Sequence, residues 1–315
     1  MRRVLLGAAA AAALILASGC GGSDGAKQAD PVVRVALDFT PNPVHAPIYA
    51  AVRERLDAHE GVRLRIETPG ASPDSLKTVL SGRADLGVLD IHDLGLAVAR
   101  GRDVVAVAAL VQRPLAAIVA VGGVKRPRDL EGHKVGVSGL PSDPAVLEAV
   151  MQDDGGSIGK VQQVTIGFAS VQNLAQGNVS AVPVFWNAEG VALRERGVKT
   201  TEFRVDDYGA PRYPEVVLVA RRETLERRRD DVRAAVRAIA AGMRAVRARP
   251  EPAIAEIARA GDTDAGLVRA EMAATMPIFG TALDPAVLAA WNAWDVRFGI
   301  LPRPIDVGRA FQPQG

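Results

Sequence analysis

A single cysteine in 315 residues leaves no intramolecular disulfide and no paired-cysteine metal knuckle. The four histidines are scattered without ligand spacing, so no zinc motif is present either. Charge of one sign is missing as well: 38 Lys and Arg face 36 Asp and Glu, and no long basic run occurs beyond Arg227-Arg228-Arg229. Nucleic-acid binders usually present a basic face, and this balance argues against that class. Neither a phosphate-loop pattern nor G-x-G-x-x-G occurs, and no G-x-S-x-G elbow marks a serine nucleophile. What is left is an ordinary globular composition, 23% charged with 20 prolines, long enough for one large or two modest domains.

The N-terminus reads as an export signal. Arg2-Arg3 precede an apolar run, Val4 to Leu16, too short for a mature membrane span. The run ends in Ala17-Ser18-Gly19-Cys20, which resembles a bacterial lipoprotein box, although Ala17 stands where leucine is usual. That resemblance implies removal of residues 1–19 and lipidation of Cys20, with residues 20–31 as a flexible, glycine-rich tether. Loss of the signal takes away two arginines and leaves 36 basic against 36 acidic residues. No second apolar run is long enough to cross a bilayer. The expected location is extracytoplasmic, anchored to the cell membrane by lipid, a setting that disfavours ATP, NAD or any other cytosolic cofactor; none is expected.

From residue 32 onward, short β-rich runs alternate with helical stretches. Strands are expected at Val32–Leu37, Val62–Glu67, Ala84–Leu89, Val104–Val111 and Ala116–Val121, then at Lys134–Val137, Val161–Ile166, Ala181–Phe185 and Glu215–Ala220. Helices are expected at His45–His59, Asp74–Ser81 and Ile91–Arg100, and from the cap pair Asp143-Pro144 through Met151. Continuously apolar strands alternating with helices indicate an α/β fold with parallel sheets covered on both faces. A long helix follows, with Leu225, Val232, Val236, Ile239, Met243 and Val246 on one face and Arg227 to Arg229 on its solvated side. Trp291, Trp294 and Phe298 form a stripe on the last long helix, and such a stripe belongs in a core. The cycle restarts near residue 116, which suggests two α/β lobes: 32–115 with 221–315, and 116–220. A two-strand hinge would join them, with a ligand crevice at the carboxyl ends of the strands.

After the first strand comes Asp38-Phe39-Thr40-Pro41-Asn42-Pro43-Val44-His45-Ala46-Pro47-Ile48-Tyr49. This segment resembles the first-lobe signature of ABC-importer binding proteins in the group that includes the fungal thiamin-pyrimidine synthases. Ala84-Asp85-Leu86-Gly87-Val88, Val111-Gln112-Arg113-Pro114-Leu115, Asp129 to Val137, and Phe185-Trp186-Asn187-Ala188-Glu189-Gly190 fit the same pattern, so the resemblance spans roughly residues 32–300. It implies a type II periplasmic-binding-protein fold that closes on a small heteroaromatic ligand, with an ABC permease and ATPase as partners. In the pyrimidine-binding branch, an acidic residue at the place of Glu189 pairs with the aminopyrimidine edge.

The residues themselves suit such a ligand. Asp38 and Asn42 lie on a strand-end turn stiffened by Pro41 and Pro43, and His45 and Tyr49 are one helical turn apart. Asp38 and Asn42 serve equally well as turn and cap residues. Trp186 could stack on a ring, and Glu189 could accept from an exocyclic amine beside a protonated ring nitrogen. Asp90, His92 and Gln112 complete the candidate lining; no metal is expected there. Ser138, in the loop before the helix that opens near Asp143, could receive an anion, though helix initiation accounts for that loop as well.

The function expected is capture of a thiamin-related aminopyrimidine by a monomeric binding protein, with no nucleic-acid partner. Riboflavin, sulfonate, taurine and nitrate are alternative ligands for this fold, and a carboxylate at Glu189 would repel the anionic ones. A synthase-like enzyme is the weakest alternative: the fungal enzymes carry a cysteine-rich segment, and the one cysteine here is Cys20.

Overall fold

The computed structural model describes residues 29–69, 74–139 and 142–314. The expected signal segment, Cys20 and most of the tether lie outside them, as do Leu140 and Pro141. Among the described residues ten strands form: β1 (Val32–Ala36), β2 (Arg63–Glu67), β3 (Leu86–Asp90), β4 (Val104–Ala109), β5 (Ala116–Ala120), β6 (Lys134–Val137), β7 (Gln162–Thr165), β8 (Ala181–Phe185), β9 (Thr201–Arg204) and β10 (Val216–Arg221). They make two five-stranded sheets, ordered β2-β1-β3-β10-β4 and β7-β6-β8-β5-β9. Helices cover both, as expected for an α/β fold, and among the described residues no helix is long and apolar enough to cross a membrane.

Strand directions fix where the two sheets meet. In the first sheet β1, β2 and β3 are parallel and β10 alone runs against β3 and β4. In the second, β6, β7 and β8 are parallel and β5 runs against β8 and β9. The chain therefore leaves the first sheet at the carboxyl end of β4 and enters the second beside the carboxyl end of β8. It returns from the end of β9 to the start of β10, again between carboxyl edges. The crossings, residues 110–115 and 205–215, join the two carboxyl edges, which is where the alternation places the expected crevice.

β10 corrects the boundary expected after residue 220. Its five apolar residues are all buried between β3 and β4, so the chain is back in the first sheet by Val216. β9 was not foreseen, because only Phe203 is apolar in its Thr-Glu-Phe-Arg sequence and it lies at a sheet edge. The helix expected over His45–His59 is broken: Ala46–Arg53 ends before Arg55, which takes a left-handed conformation at φ 57°, and Leu56–His59 follows. That break turns the buried Asp57 carboxylate onto the backbone N–H of Ala58 and Leu64, both at 2.8 Å, tying the segment to β2.

The other open edge is guarded. All six residues of β4 are buried although it ends the sheet order, because Gln312 and Gln314 donate backbone hydrogen bonds to Ala106 and Val107 along it. Trp291 and Trp294 are core residues, as expected of their stripe. Arg228, expected on the solvated side, instead links Asp85, Asp231 and the Val32 carbonyl.

Two glycines support the segment after β1 from behind. A Cβ at Gly242, in the helix Arg229–Ala248, would collide with the Pro47 carbonyl oxygen, and one at Gly261 would lie 2.5 Å from that of Pro41. The absence of side chains there lets two helices press directly on the Asp38–Tyr49 backbone.

Candidate binding crevice

Asp38 follows β1 at the first carboxyl edge and accepts a hydrogen bond from His45 Nε2 at 2.8 Å. The other ring nitrogen, Nδ1, accepts from the Asn42 backbone N–H at 3.2 Å, which requires Nε2 to carry the proton and donate to Asp38. Asn42 caps the short turn Pro43–His45 by accepting from Val44 N at 3.0 Å. His45 is buried, so it orients Asp38 from beneath and does not line the crevice itself. Tyr49 is half-buried against the core; burial pushes its hydroxyl pKa up, and its charged neighbour is Glu256, not Asp38. Phe39, quoted in the motif but not chosen as a contact, is 57% exposed at this edge.

The second edge overturns one expectation. Trp186 is 3% exposed, its indole N–H donates to the Pro114 carbonyl at 2.9 Å, and the Arg204 guanidinium covers its ring at 3.9 Å. It secures the first crossing and has no free face for a ligand. The accessible rings are Phe185 at the end of β8, 37% exposed, and Phe168 after β7, 84% exposed. Strand alternation carries the reason: neighbours on a strand end point to opposite sides, so a buried Trp186 leaves Phe185 facing out.

Glu189 is half-buried and takes the Phe185 backbone N–H at 3.2 Å. Burial pushes its pKa up. Asn187, buried, donates from Nδ2 to Thr275 Oγ1 at 2.9 Å, joining the second lobe to the helix Ala265–Thr275. That helix packs on both the Glu189–Glu195 helix and the Pro43–His45 turn, so it brings the two edges together. On it, one turn before Thr275, stands Glu271, whose pKa is pushed up to about 7 by burial and then by Glu189. Sequence reasoning missed Glu271, since no strand end or motif marks it.

Asp90, His92 and Gln112 sit on the hinge side. Asp90 caps the helix Ile91–Ala99 by accepting from His92 N at 2.7 Å. The buried His92 ring meets Asp295 Oδ2 at 2.8 Å through Nδ1 and the Tyr213 hydroxyl at 3.2 Å through Nε2, with Glu215 Oε1 3.7 Å from Nε2. Burial opposes charge on the imidazole, but Asp295, then Asp90 and Glu215, outweigh it and push its pKa up to about 10. Glu215 is pushed up to about 8 by burial and then Asp90, while its Oε2 accepts from Leu115 N at 2.7 Å at the start of the second sheet. Asp90, His92 and Glu215 are the group among the described residues whose donor atoms could converge on a metal ion, and a protonated His92 supplies a positive charge at that point. Gln112 donates to the Ala282 carbonyl at 3.1 Å and braces the crossing. Ser138 gives both its N–H and its hydroxyl to Asp143, each at 2.6 Å, so a carboxylate of the chain already occupies the anion position. Asp143 is thus inside the helix, which opens at Ser142.

Comparison with known proteins adds four findings. The family described as NMT1/THI5 like matches residues 42–253. The formylaminopyrimidine-binding protein of Halalkalibacterium halodurans is 31% identical over 197 residues, covering 62% of this chain and 60% of that protein. The 4-amino-5-hydroxymethyl-2-methylpyrimidine phosphate synthase of Uromyces fabae is 30% identical over 111 residues, 34% of this chain and 32% of its own. Among solved structures, the periplasmic aliphatic sulphonate binding protein SsuA from Escherichia coli superposes with a TM-score of 0.76 at 18% identity, covering 90% of this chain and 92% of that one. The chain thus has the periplasmic-binding-protein fold, and it spans about three fifths of the first curated relative.

Proposed function

Because this chain belongs to the NMT1/THI5-like family, we propose that it is the extracytoplasmic substrate-binding component of an ABC importer, taking a thiamin-related aminopyrimidine between its lobes. The observation that carries this reading is that each carboxyl edge presents an exposed ring beside a carboxylate, Phe39 next to Asp38 and Phe185 next to Glu189. Two rings suit a flat heterocycle, and carboxylates accept from its exocyclic amine and protonated ring nitrogen. The ligand named for the Halalkalibacterium relative is of this class. Closure of the lobes on ligand would create the surface that a permease with its ATPase reads. The protein would work as a monomer held to the membrane through lipid on Cys20.

Binding without turnover fits better than synthesis, because the single cysteine cannot supply the cysteine-rich segment of the fungal enzymes. A sulfonate ligand is the second reading, favoured only by the shared fold at 18% identity. The acceptors at the crevice would repel it.

The test is ligand-induced thermal stabilisation of the purified protein. At a hundredfold excess over Kd, a true ligand adds about 2.7 kcal/mol. A shift with aminopyrimidines, reduced by Glu189→Gln, is the expected result. A shift with riboflavin, taurine, nitrate or an alkyl sulfonate instead would overturn the ligand class.

A further inference from the structure

Between the two crossings, one side chain reaches from the first sheet to the second. Glu215 closes the return crossing: its carbonyl takes the Ile91 N–H at 2.9 Å and Val216 after it begins β10, so its backbone belongs to the first sheet. Leu115 closes the outgoing crossing: its carbonyl takes the Trp186 N–H at 2.9 Å and Ala116 after it begins β5, so its backbone belongs to the second. The buried Glu215 carboxylate joins these two roots, its Oε2 accepting from Leu115 N at 2.7 Å and, more weakly, from Ala116 N at 3.4 Å. Arg113 and Asp206 also link the crossings, at 2.5 Å, but Asp206 follows directly on β9 and so stands on the second-sheet side of the hinge. The first lobe steadies Glu215 from behind. Its Oε1 lies 3.7 Å from His92 Nε2, and the His92 ring is pinned to Asp295 at 2.8 Å and to the Tyr213 hydroxyl at 3.2 Å.

A hinge turns by changing φ and ψ at a few residues where elements end, and Leu115 and Glu215 hold such places. Rotation of one sheet against the other has to change the separation between a side chain rooted in the first and an N–H rooted in the second. Leu115 is buried, so an N–H there that lost Glu215 would be cut off from water and left unpaired, which is costly. We propose that Glu215 is an interlobe latch: its hydrogen bond to the Leu115 N–H selects one lobe angle, and rotation away from that angle breaks it. The latch goes beyond ligand capture, since it acts on the lobe angle whatever the crevice takes.

The test is the distance between spin labels at Lys77→Cys in the first lobe and Gln163→Cys in the second, both exposed positions. It is measured by double electron-electron resonance without ligand, on the full chain with Cys20→Ser so that only these two sites are labelled. Glu215→Gln keeps an oxygen for the Leu115 N–H and should leave the distance distribution as in the wild type. Glu215→Met has a similar length but no comparable acceptor. It should shift the populations of lobe angles by about fivefold or more, the scale of one buried hydrogen bond. Glu215→Asp keeps the charge beside His92, falls one methylene short of Leu115 and should shift them too. A distribution unmoved in Glu215→Met, or in Glu215→Asp should the first not fold, would overturn the latch. An equal shift in Glu215→Gln would overturn it as well, because the charge and not the hydrogen bond would then set the angle. No ligand enters this measurement, so its failure is distinct from a failure of the aminopyrimidine reading.

Discussion

Around His92, the carboxylates Asp295, Asp90 and Glu215 surround an imidazole that carries the compensating charge, and backbone N–H groups of Leu115 and Ala116 take up a Glu215 oxygen. Glu189 and Glu271, on helices that pack together, both have their pKa pushed up by burial, and no cation figures among the groups acting on either. Both places withdraw charge from water, yet only the first supplies its own counter-charge. Buried charge that the protein neutralises itself acts on the fold, here by tying β3, the crossings and the helix Pro285–Arg297 together. Carboxyl groups buried without a counter-charge are instead held toward their neutral form by the cost of desolvation.

The largest expected effect comes from removing the internal cation. His92→Leu leaves three carboxylates facing one another and should cost about 3–5 kcal/mol in denaturant unfolding. Loss of less than about 1 kcal/mol would mean that the cluster is not held by that charge, and the contrast between the two places would collapse. The wild type should also lose stability with alkalinity. His92 keeps its proton up to about pH 10 when folded against 6.5 ordinarily, so its contribution is complete below 6.5 and disappears as pH rises through 10. Glu215 titrates near 8 when folded against 4.5, which has the same sign: its contribution is complete below 4.5 and is lost as pH rises through 8. Unfolding free energy measured across this range should fall, and a flat profile would show that neither pKa is raised in the folded protein.

The core strands and the motif after β1 were legible because burial on both faces writes a continuous apolar run and a strand-end turn writes proline and asparagine. The boundary before β10 was not, since an antiparallel return strand has the same apolar pattern as any other. Trp186 was misread for a related reason. Sequence shows that two aromatic residues adjoin at the end of β8, but which of them faces the crevice depends on the pleat and on the hydrogen bond from the indole to Pro114. Glu271 was invisible: its meaning comes from a helix more than eighty residues away along the chain from Glu189, and only packing brings the two together.

The smallest stability effects separate those adjacent rings. Trp186→Phe removes the hydrogen bond to Pro114 and weakens the stacking of Arg204, so about 1–2 kcal/mol of stability should go while ligand affinity stays within about twofold. Phe185→Leu touches an exposed ring and should leave stability within about 0.5 kcal/mol. It should nevertheless weaken an aminopyrimidine by about threefold to tenfold, the worth of one aromatic face on another. Paired unfolding and calorimetric measurements on the two variants check this. The reverse pattern would place Trp186 on the ligand after all, which requires the indole to leave Pro114 and Arg204 when the lobes close, and would make the crossing itself part of the binding switch.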